Sequence, residues 1–191
     1  MALITLLSFA QTQSYEVEAE KCKAVFQKNL ASRRDSLSKL FSEAGNCLVG
    51  LQFPDFNLIS IDGEQYKLSE LKGKVIMLNF WFIGCAPCVE EMPLLNQLTE
   101  EYKGQDFLLL SFSTDNKEAI FNFRKRHEIK YVIFENSRDL IHDSFHLSYG
   151  YPTNIFLDKE GKIVKVKLGG DPKKMKAIFK EIIDNGLMSK K

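Results

Sequence analysis

The chain has 191 residues, of which 45% are hydrophobic and 27% are charged, and its formal net charge is +1 at pH 7. A chain of this length buries one substantial core, so we expect one domain with an extension. Lysine and arginine are scattered along the chain, which leaves no electrostatic case for a nucleic-acid partner.

The first ten residues are apolar and carry no charged side chain. They are too few to cross a bilayer. Ser8-Phe9-Ala10 places small residues where a signal peptidase reads, which predicts an export signal over residues 1–10 and a location in the periplasm or cell envelope. The usual positive start of a signal is missing, so a truncated or misassigned start and a buried or frayed N-terminal strand are the alternatives.

Residues 11–47 are predicted to form a helical N-terminal extension. From Ser14 to about Ala44 the residues are mostly polar, with apolar residues at loosely helical intervals, and Gly45-Asn46 ends the pattern. A hairpin is predicted next. Its first strand begins at Phe53, Asp62-Gly63 forms its turn, and residues 65–68 return.

An apolar run from Val75 to Ile83, interrupted only by Asn79, predicts a strand buried on both faces. Gly84 ends the run. Helix-like spacing of apolar residues then begins, so the sequence predicts a buried strand that leads directly into a helix.

Cys85 and Cys88 form a Cys-x-x-Cys motif where this helix starts, and Pro87 suits its first turn because no intrahelical acceptor is available there for an amide hydrogen. The helix N-terminus favours an anion, so Cys85 is predicted to attack as a thiolate and Cys88 to resolve the mixed disulfide. Half a zinc site has the same spacing, and an incidental pair is the other alternative.

At these residues the sequence resembles the thioredoxin superfamily, and within it the TlpA/ResA-like extracytoplasmic thiol–disulfide oxidoreductases. The motifs that carry the resemblance are Asn79-Phe80-Trp81, Cys85-Ala86-Pro87-Cys88, Glu91 and Pro93. The likeness runs from about Gly50 to about Gly186. It implies a thioredoxin-like fold over residues 48–188, a central mixed β-sheet flanked by helices, with the N-terminal β-hairpin in front. Gly84 replaces a Trp that many relatives carry, so their substrate preference is not carried over.

The remaining pattern follows the thioredoxin order of strand, helix, strand, helix, hairpin and helix. The predicted elements are a strand at 107–113, helices at 117–128 and 138–147, a strand at 131–134, hairpin strands at 153–157 and 162–168, and a last helix at 175–183.

Tyr151-Pro152-Thr153 resembles the family's cis-proline loop, which packs against the two cysteines. A cis bond there would turn the backbone of Tyr151 toward them and offer hydrogen bonds to an extended substrate. From composition alone Pro152 would be trans and would merely start a strand. Trp81 is expected to line the groove beside Cys85, with plain packing as the alternative.

Glu91 follows Cys88 by three residues and falls on roughly the same helical face. Resolution requires that the Cys88 thiol lose its proton, and Glu91 is the family's alternative base, since Asn79 at the position of thioredoxin's own acid cannot titrate. Met92 is expected to desolvate Glu91 and raise its pKa. The alternative is a solvated first-turn glutamate, the role expected of Glu90.

The remaining cysteines, Cys22 and Cys47, are predicted to form a structural disulfide, because an exported protein with two of its four cysteines committed to a redox site most simply pairs the other two. Two free thiols, or a second redox pair that relays electrons to Cys85, are the alternatives. His127, His142 and His146 are expected at the surface.

The predicted function is that of a protein-disulfide reductase that needs no cofactor or metal beyond the Cys85–Cys88 couple. Its partners would be a disulfide-bearing protein and an upstream electron donor, membrane-embedded if the protein is exported. Two alternative functions use the same fold. A peroxiredoxin-like peroxidase needs Thr three residues before its reactive cysteine, and here Phe82 stands at that distance before Cys85, which argues against it. A copper-binding assembly protein needs Cys-x-x-x-Cys with a later His, and the two-residue spacing of this motif argues against it.

Overall fold

The computed structural model describes residues 2–32, 40, 45–147 and 149–189. The helices in this part of the chain are α1 (Ala2–Ser32), α2 (Ala86–Glu101), α3 (Lys117–Arg124) and α4 (Pro172–Met188). The strands are β1 (Asn57–Ile59), β2 (Gln65–Lys67), β3 (Val75–Trp81), β4 (Phe107–Ser113), β5 (Val132–Phe134), β6 (Thr153–Leu157) and β7 (Ile163–Leu168).

The main sheet has the strand order β5-β4-β3-β6-β7. Strand β3 is central, pairs in parallel with β4 and antiparallel with β6, and is buried along its whole length. Strands β1 and β2 form a separate hairpin in which Ile59 pairs with Gln65 across the predicted turn. The mixed sheet flanked by helices confirms the predicted thioredoxin-like architecture.

Two apolar cores lie on opposite faces of the sheet, because successive side chains of a strand point to opposite sides. Leu78 and Phe80 belong to the core that includes α1, and Met77 and Trp81 belong to the core that includes α2, α3 and α4. The Cys85–Cys88 pair lies in the second core, at the end of β3.

Helix α1 is attached to the first core. The hydroxyl of Tyr15 donates a hydrogen bond to the carbonyl of Phe145 at 2.8 Å, and the ring of Phe26 meets Tyr149 edge-on. The end of the predicted helical extension, at residues 33–39 and 41–44, lies outside the described residues. Within the described residues, no helix is long and apolar enough to span a bilayer.

Two predicted helices are shorter in the structure. The segment predicted as a helix over 138–147 contains a single π-helical turn, Leu140–Ser144, because His146 takes a left-handed conformation with φ of 50° and stops it. Helix α3 ends at Arg124 instead of 128, since the chain must turn for Ile129 to enter the core.

Candidate active site

The two cysteines of the Cys-x-x-Cys motif are joined in a disulfide at the N-terminus of α2. Cys85 is the residue that caps the helix, and its Sγ accepts a hydrogen bond from the backbone N–H of Cys88 at 3.3 Å. Both cysteines are largely buried, but Gly84 and Ala86 beside Cys85 are exposed. The disulfide therefore lies next to the surface. After its reduction, the helix N-terminus would stabilise a Cys85 thiolate.

The loop that carries Cys85 is anchored to the end of the neighbouring strand β4. The Asp115 carboxylate accepts hydrogen bonds from the backbone N–H of Ile83 at 2.8 Å and from the hydroxyl of Ser113 at 2.9 Å. Asn116, the next residue along the chain, caps α3. The available signal was an acidic residue two positions after the end of β4, the strand parallel to β3.

The Tyr151–Pro152 peptide bond is cis, as the resemblance implied. Thr153 pairs with Phe80 across β3 and β6, so Pro152 comes at the end of β3 that leads to Cys85. The ring of Tyr151 meets Phe82 edge-on, with 5.4 Å between centroids. The fold therefore brings Tyr151 and Pro152 to the same end of the sheet as the cysteines.

Glu91 is only 4% exposed and follows Cys88 by one turn of α2. Burial raises the pKa of the Glu91 carboxyl to about 7, and a hydrogen bond of 2.7 Å from the side-chain N–H of Asn154 opposes this by a smaller amount. Glu90, by contrast, is exposed, as expected. A carboxyl that is half ionised near neutral pH can exchange a proton with a thiol.

Several known proteins are similar to this chain in sequence. Residues 49–166 match the AhpC/TSA family. The thiol-disulfide oxidoreductase ResA of Halalkalibacterium halodurans is 32% identical over 147 residues, which cover 76% of this chain and 83% of that protein. ResA of Bacillus cereus is 31% identical over 134 residues, which cover 70% of this chain and 77% of the relative. The chain belongs to the AhpC/TSA family.

A solved structure gives the same result for the fold. A thiol:disulfide interchange protein of the thioredoxin family from Chlorobium tepidum superposes with a TM-score of 0.62 at 25% identity, covering 71% of this chain and 95% of the other. The predicted family and enzyme class are confirmed, and this AhpC/TSA family member is a thiol–disulfide oxidoreductase with a thioredoxin-like fold. Helix α1, Cys22 and Cys47 precede the residues that match the family.

Trp81 does not line a groove in this structure. Its side chain is 1% exposed and packs against Phe123, because β3 extends through Trp81 and directs the ring into the core of α2, α3 and α4. Its indole N–H has no hydrogen-bond partner among the described residues. The packing alternative therefore describes Trp81 in the oxidised protein.

Asn154 is the site residue that sequence reasoning missed. It lies on β6 directly opposite Asn79 of β3, and both amides are buried. The signal was weak, because a single Asn within the apolar run 153–157 shows neither its partner strand nor the carboxyl that it contacts.

Cys22 and Cys47 are joined in a second disulfide, with their Cα atoms 5.9 Å apart. Cys22 is buried in the core that includes α1, on the opposite face of the sheet from Cys85, and Cys47 is exposed. The fold therefore does not bring this pair to the active-site cysteines.

The histidines are less exposed than the sequence suggested. His146 lies with its Nδ1 atom 2.9 Å from Glu20 and its Nε2 atom 3.9 Å from Glu16, because α1 covers it. His142 Nε2 is 3.3 Å from the hydroxyl of Tyr151. Among the described residues, no group of three or more His, Cys, Asp or Glu side chains could hold a metal ion.

Proposed function

We propose that this thiol–disulfide oxidoreductase reduces disulfides in exported proteins through the Cys85–Cys88 dithiol. The observation that carries the proposal is the position of Cys85 as the cap of α2, with a buried, titratable Glu91 one turn beyond Cys88. This arrangement joins an activated nucleophile to a proton acceptor for the second thiol.

In the first step the Cys85 thiolate attacks one sulfur of the substrate disulfide. A bond forms between that sulfur and Cys85, and the other substrate sulfur leaves as a thiolate that takes a proton from solvent. The N–H of Cys88 and the N-terminus of α2 stabilise the attacking thiolate.

In the second step Glu91 accepts the proton of the Cys88 thiol. The resulting thiolate attacks Cys85, the Cys85–Cys88 disulfide forms, and the second substrate sulfur leaves and is protonated. Two electrons have then moved from the protein dithiol to the substrate. A Glu91 pKa near 7 supports this role, because such a base is half ionised under physiological conditions.

The substrate would lie along the cis-proline loop. Backbone groups of Tyr151 would pair with an extended segment around the substrate disulfide, and the exposed part of the Tyr151 ring, held by Phe82, would contact its side chains. A cavity of about 240 Å³ lined by Phe80, Ile141, His142, Leu147, Gly150, Tyr151 and Thr153 adjoins this loop. Trp81 would take part only after a rearrangement that exposes it.

Export and electron supply belong to the same proposal. The apolar start and the Ser8-Phe9-Ala10 pattern support an export signal, and a Cys22–Cys47 disulfide suits an oxidising compartment. No cofactor is required, because the cysteine pair itself carries the electrons. Each turnover leaves the pair oxidised, so an upstream dithiol donor, membrane-embedded in an exported setting, must reduce it again.

The deciding measurement is the reduction potential of the Cys85–Cys88 couple, with mass-spectrometric thiol trapping that follows Cys22 and Cys47 separately. A potential near or below about −220 mV is expected for a reductase, and a much higher one would indicate an oxidant or isomerase. If no Cys85–Cys88 disulfide forms under mild oxidation, the dithiol mechanism fails. Peroxide consumption and copper titration test the two alternative functions directly.

A further inference from the structure

A row of buried polar side chains crosses the sheet beneath α2. Ser111 of β4 and Asn154 of β6 are both direct register partners of Asn79 on the central strand. All three side chains are at most 2% exposed. They lie on the face of the sheet that also carries Met77 and Trp81, where α2 packs.

The hydrogen bonds of this row all run in one direction. The Ser111 hydroxyl donates to Asn79 Oδ1 at 3.4 Å, Asn79 Nδ2 donates to Asn154 Oδ1 at 2.8 Å, and Asn154 Nδ2 donates to Glu91 Oε1 at 2.7 Å. Because an amide nitrogen donates and does not accept, the Oε1 atom of Glu91 is used as an acceptor and cannot carry a proton toward Asn154.

The second carboxyl oxygen of Glu91 has different surroundings. The Oε2 atom is buried and has no hydrogen-bond partner among the described residues. Only this oxygen is free to take up a proton while the row stays intact. The orientation of the carboxyl is therefore set from the sheet, by Asn154 of β6.

We propose that Asn154 is a positioning residue for Glu91, which holds Oε1 by its amide and reserves Oε2 for the proton of the Cys88 thiol. The inference rests on the proposed role of Glu91 as proton acceptor. In the step concerned, the S–H bond of Cys88 breaks, its proton passes to Oε2, and its electron pair stays on sulfur for the attack on Cys85.

The titration of Glu91 supports this geometry. Burial raises its pKa and the Asn154 amide lowers it, so loss of the amide should raise the pKa further. Besides the Cys88 thiol, Tyr131 among the described residues senses Glu91, and burial raises the pKa of its hydroxyl so far that it stays protonated in the relevant pH range. A shift in the profile of an Asn154 variant therefore reports on the Glu91–Cys88 pair.

The test uses a chromogenic aromatic disulfide mixed in equal amount with the reduced protein. Release of the first coloured thiolate marks attack by Cys85, and release of the second marks resolution by Cys88. The rate of the second release is measured against pH. Asn154→Leu should move the midpoint up by about one pH unit and slow the second release at pH 7 by about fivefold, leaving the first release unchanged.

Two matched variants separate positioning from packing. Asn154→Asp keeps the shape and the acceptor for Asn79 but places a second carboxyl against Glu91, so its midpoint should rise further, and it covers the case in which Asn154→Leu does not fold. Ser111→Ala also removes a buried hydrogen bond of the row, but at the end far from Glu91. It should therefore move the midpoint far less.

The outcomes distinguish this inference from the proposed function. If Glu91→Gln has the wild-type profile, Glu91 is not the proton acceptor and the proposed second step fails. If Glu91→Gln loses the pH dependence of the second release while Asn154→Leu and Asn154→Asp retain the wild-type midpoint, the role of Asn154 is overturned and that of Glu91 stands.

Discussion

The two disulfides of this protein have the same chemistry in opposite surroundings. Cys85 and Cys88 are three residues apart, begin a helix, and lie one turn from a buried carboxyl. Cys22 and Cys47 are 25 residues apart; Cys22 lies inside α1 and Cys47 lies in the short helical turn Asn46–Leu48. Neither of the latter begins an α-helix, so no helix N-terminus favours their thiolates.

The comparison shows that a disulfide's role follows from what surrounds it. The Cys85–Cys88 bond closes a very short loop, so it restricts the unfolded chain little, and in the proposed mechanism its neighbours assist exchange. The Cys22–Cys47 bond closes a long loop and joins α1 to the short helical turn Asn46–Leu48, which lies beside β7. There the tight turn at Gly45, with φ of 74°, leaves no room beside Val166 for a Cβ. Four measurements test this division of roles, in order of decreasing effect.

The largest effect is expected on turnover. Cys85→Ser should lower reduction of a disulfide-bearing protein by at least about a thousandfold, because the attacking thiolate is gone. The double variant Cys22→Ser, Cys47→Ser should keep activity within about twofold of wild type. A large loss of turnover in the folded double variant would mean that the second pair relays electrons, and the division of roles would be wrong.

The double variant should instead lose stability. Opening a loop of this length should lower the free energy of unfolding by about 3.5 kcal/mol, because the unfolded chain gains conformational freedom. Urea unfolding of both proteins, with the Cys85–Cys88 disulfide intact, measures the difference. An unchanged unfolding midpoint would show that the second disulfide does not constrain the chain in solution.

Glu91 should make the oxidised protein less stable at high pH. Its folded pKa of about 7 lies above the ordinary value of 4.5, so its favourable contribution is complete below pH 4.5 and is lost as the pH rises through 7. Between pH 4.5 and 8 the free energy of unfolding of the wild type should fall by about 3 kcal/mol relative to that of Glu91→Gln. Parallel pH profiles of the two proteins in urea unfolding would show that Glu91 does not titrate near neutrality.

The smallest of the four effects is on resolution at pH 7. Glu91→Gln should slow the attack of Cys88 on the mixed disulfide by about a hundredfold, because the thiol must then lose its proton to water. Glu90→Gln is the matched control, since that side chain is exposed and adjacent, and its rate should match the wild type. Equal slowing in both variants would point to a general charge effect instead of proton transfer.

Much of this architecture was predictable from local pattern. The strand at 107–113 has the predicted bounds, and β3 and α2 meet at the predicted place, because an apolar run, a glycine and a proline in the first turn of a helix are strong short-range signals. The π-helical turn at Leu140–Ser144 was predicted as a longer helix, since local composition does not show that His146 will adopt a left-handed backbone.

The sequence by itself determined the redox motif, the strand and helix that hold it, and the alternation of elements around one central sheet, because these depend on neighbours within a few residues. Only the tertiary structure decided that Trp81 is buried, that His146 lies between two glutamates of α1, and that Asn154 reaches Glu91. The contacts of His146 and Asn154 join residues that are 63 or more positions apart in the chain. The burial of Trp81 depends on which face of β3 the helices cover. Such contacts follow from register and packing, which no local pattern specifies.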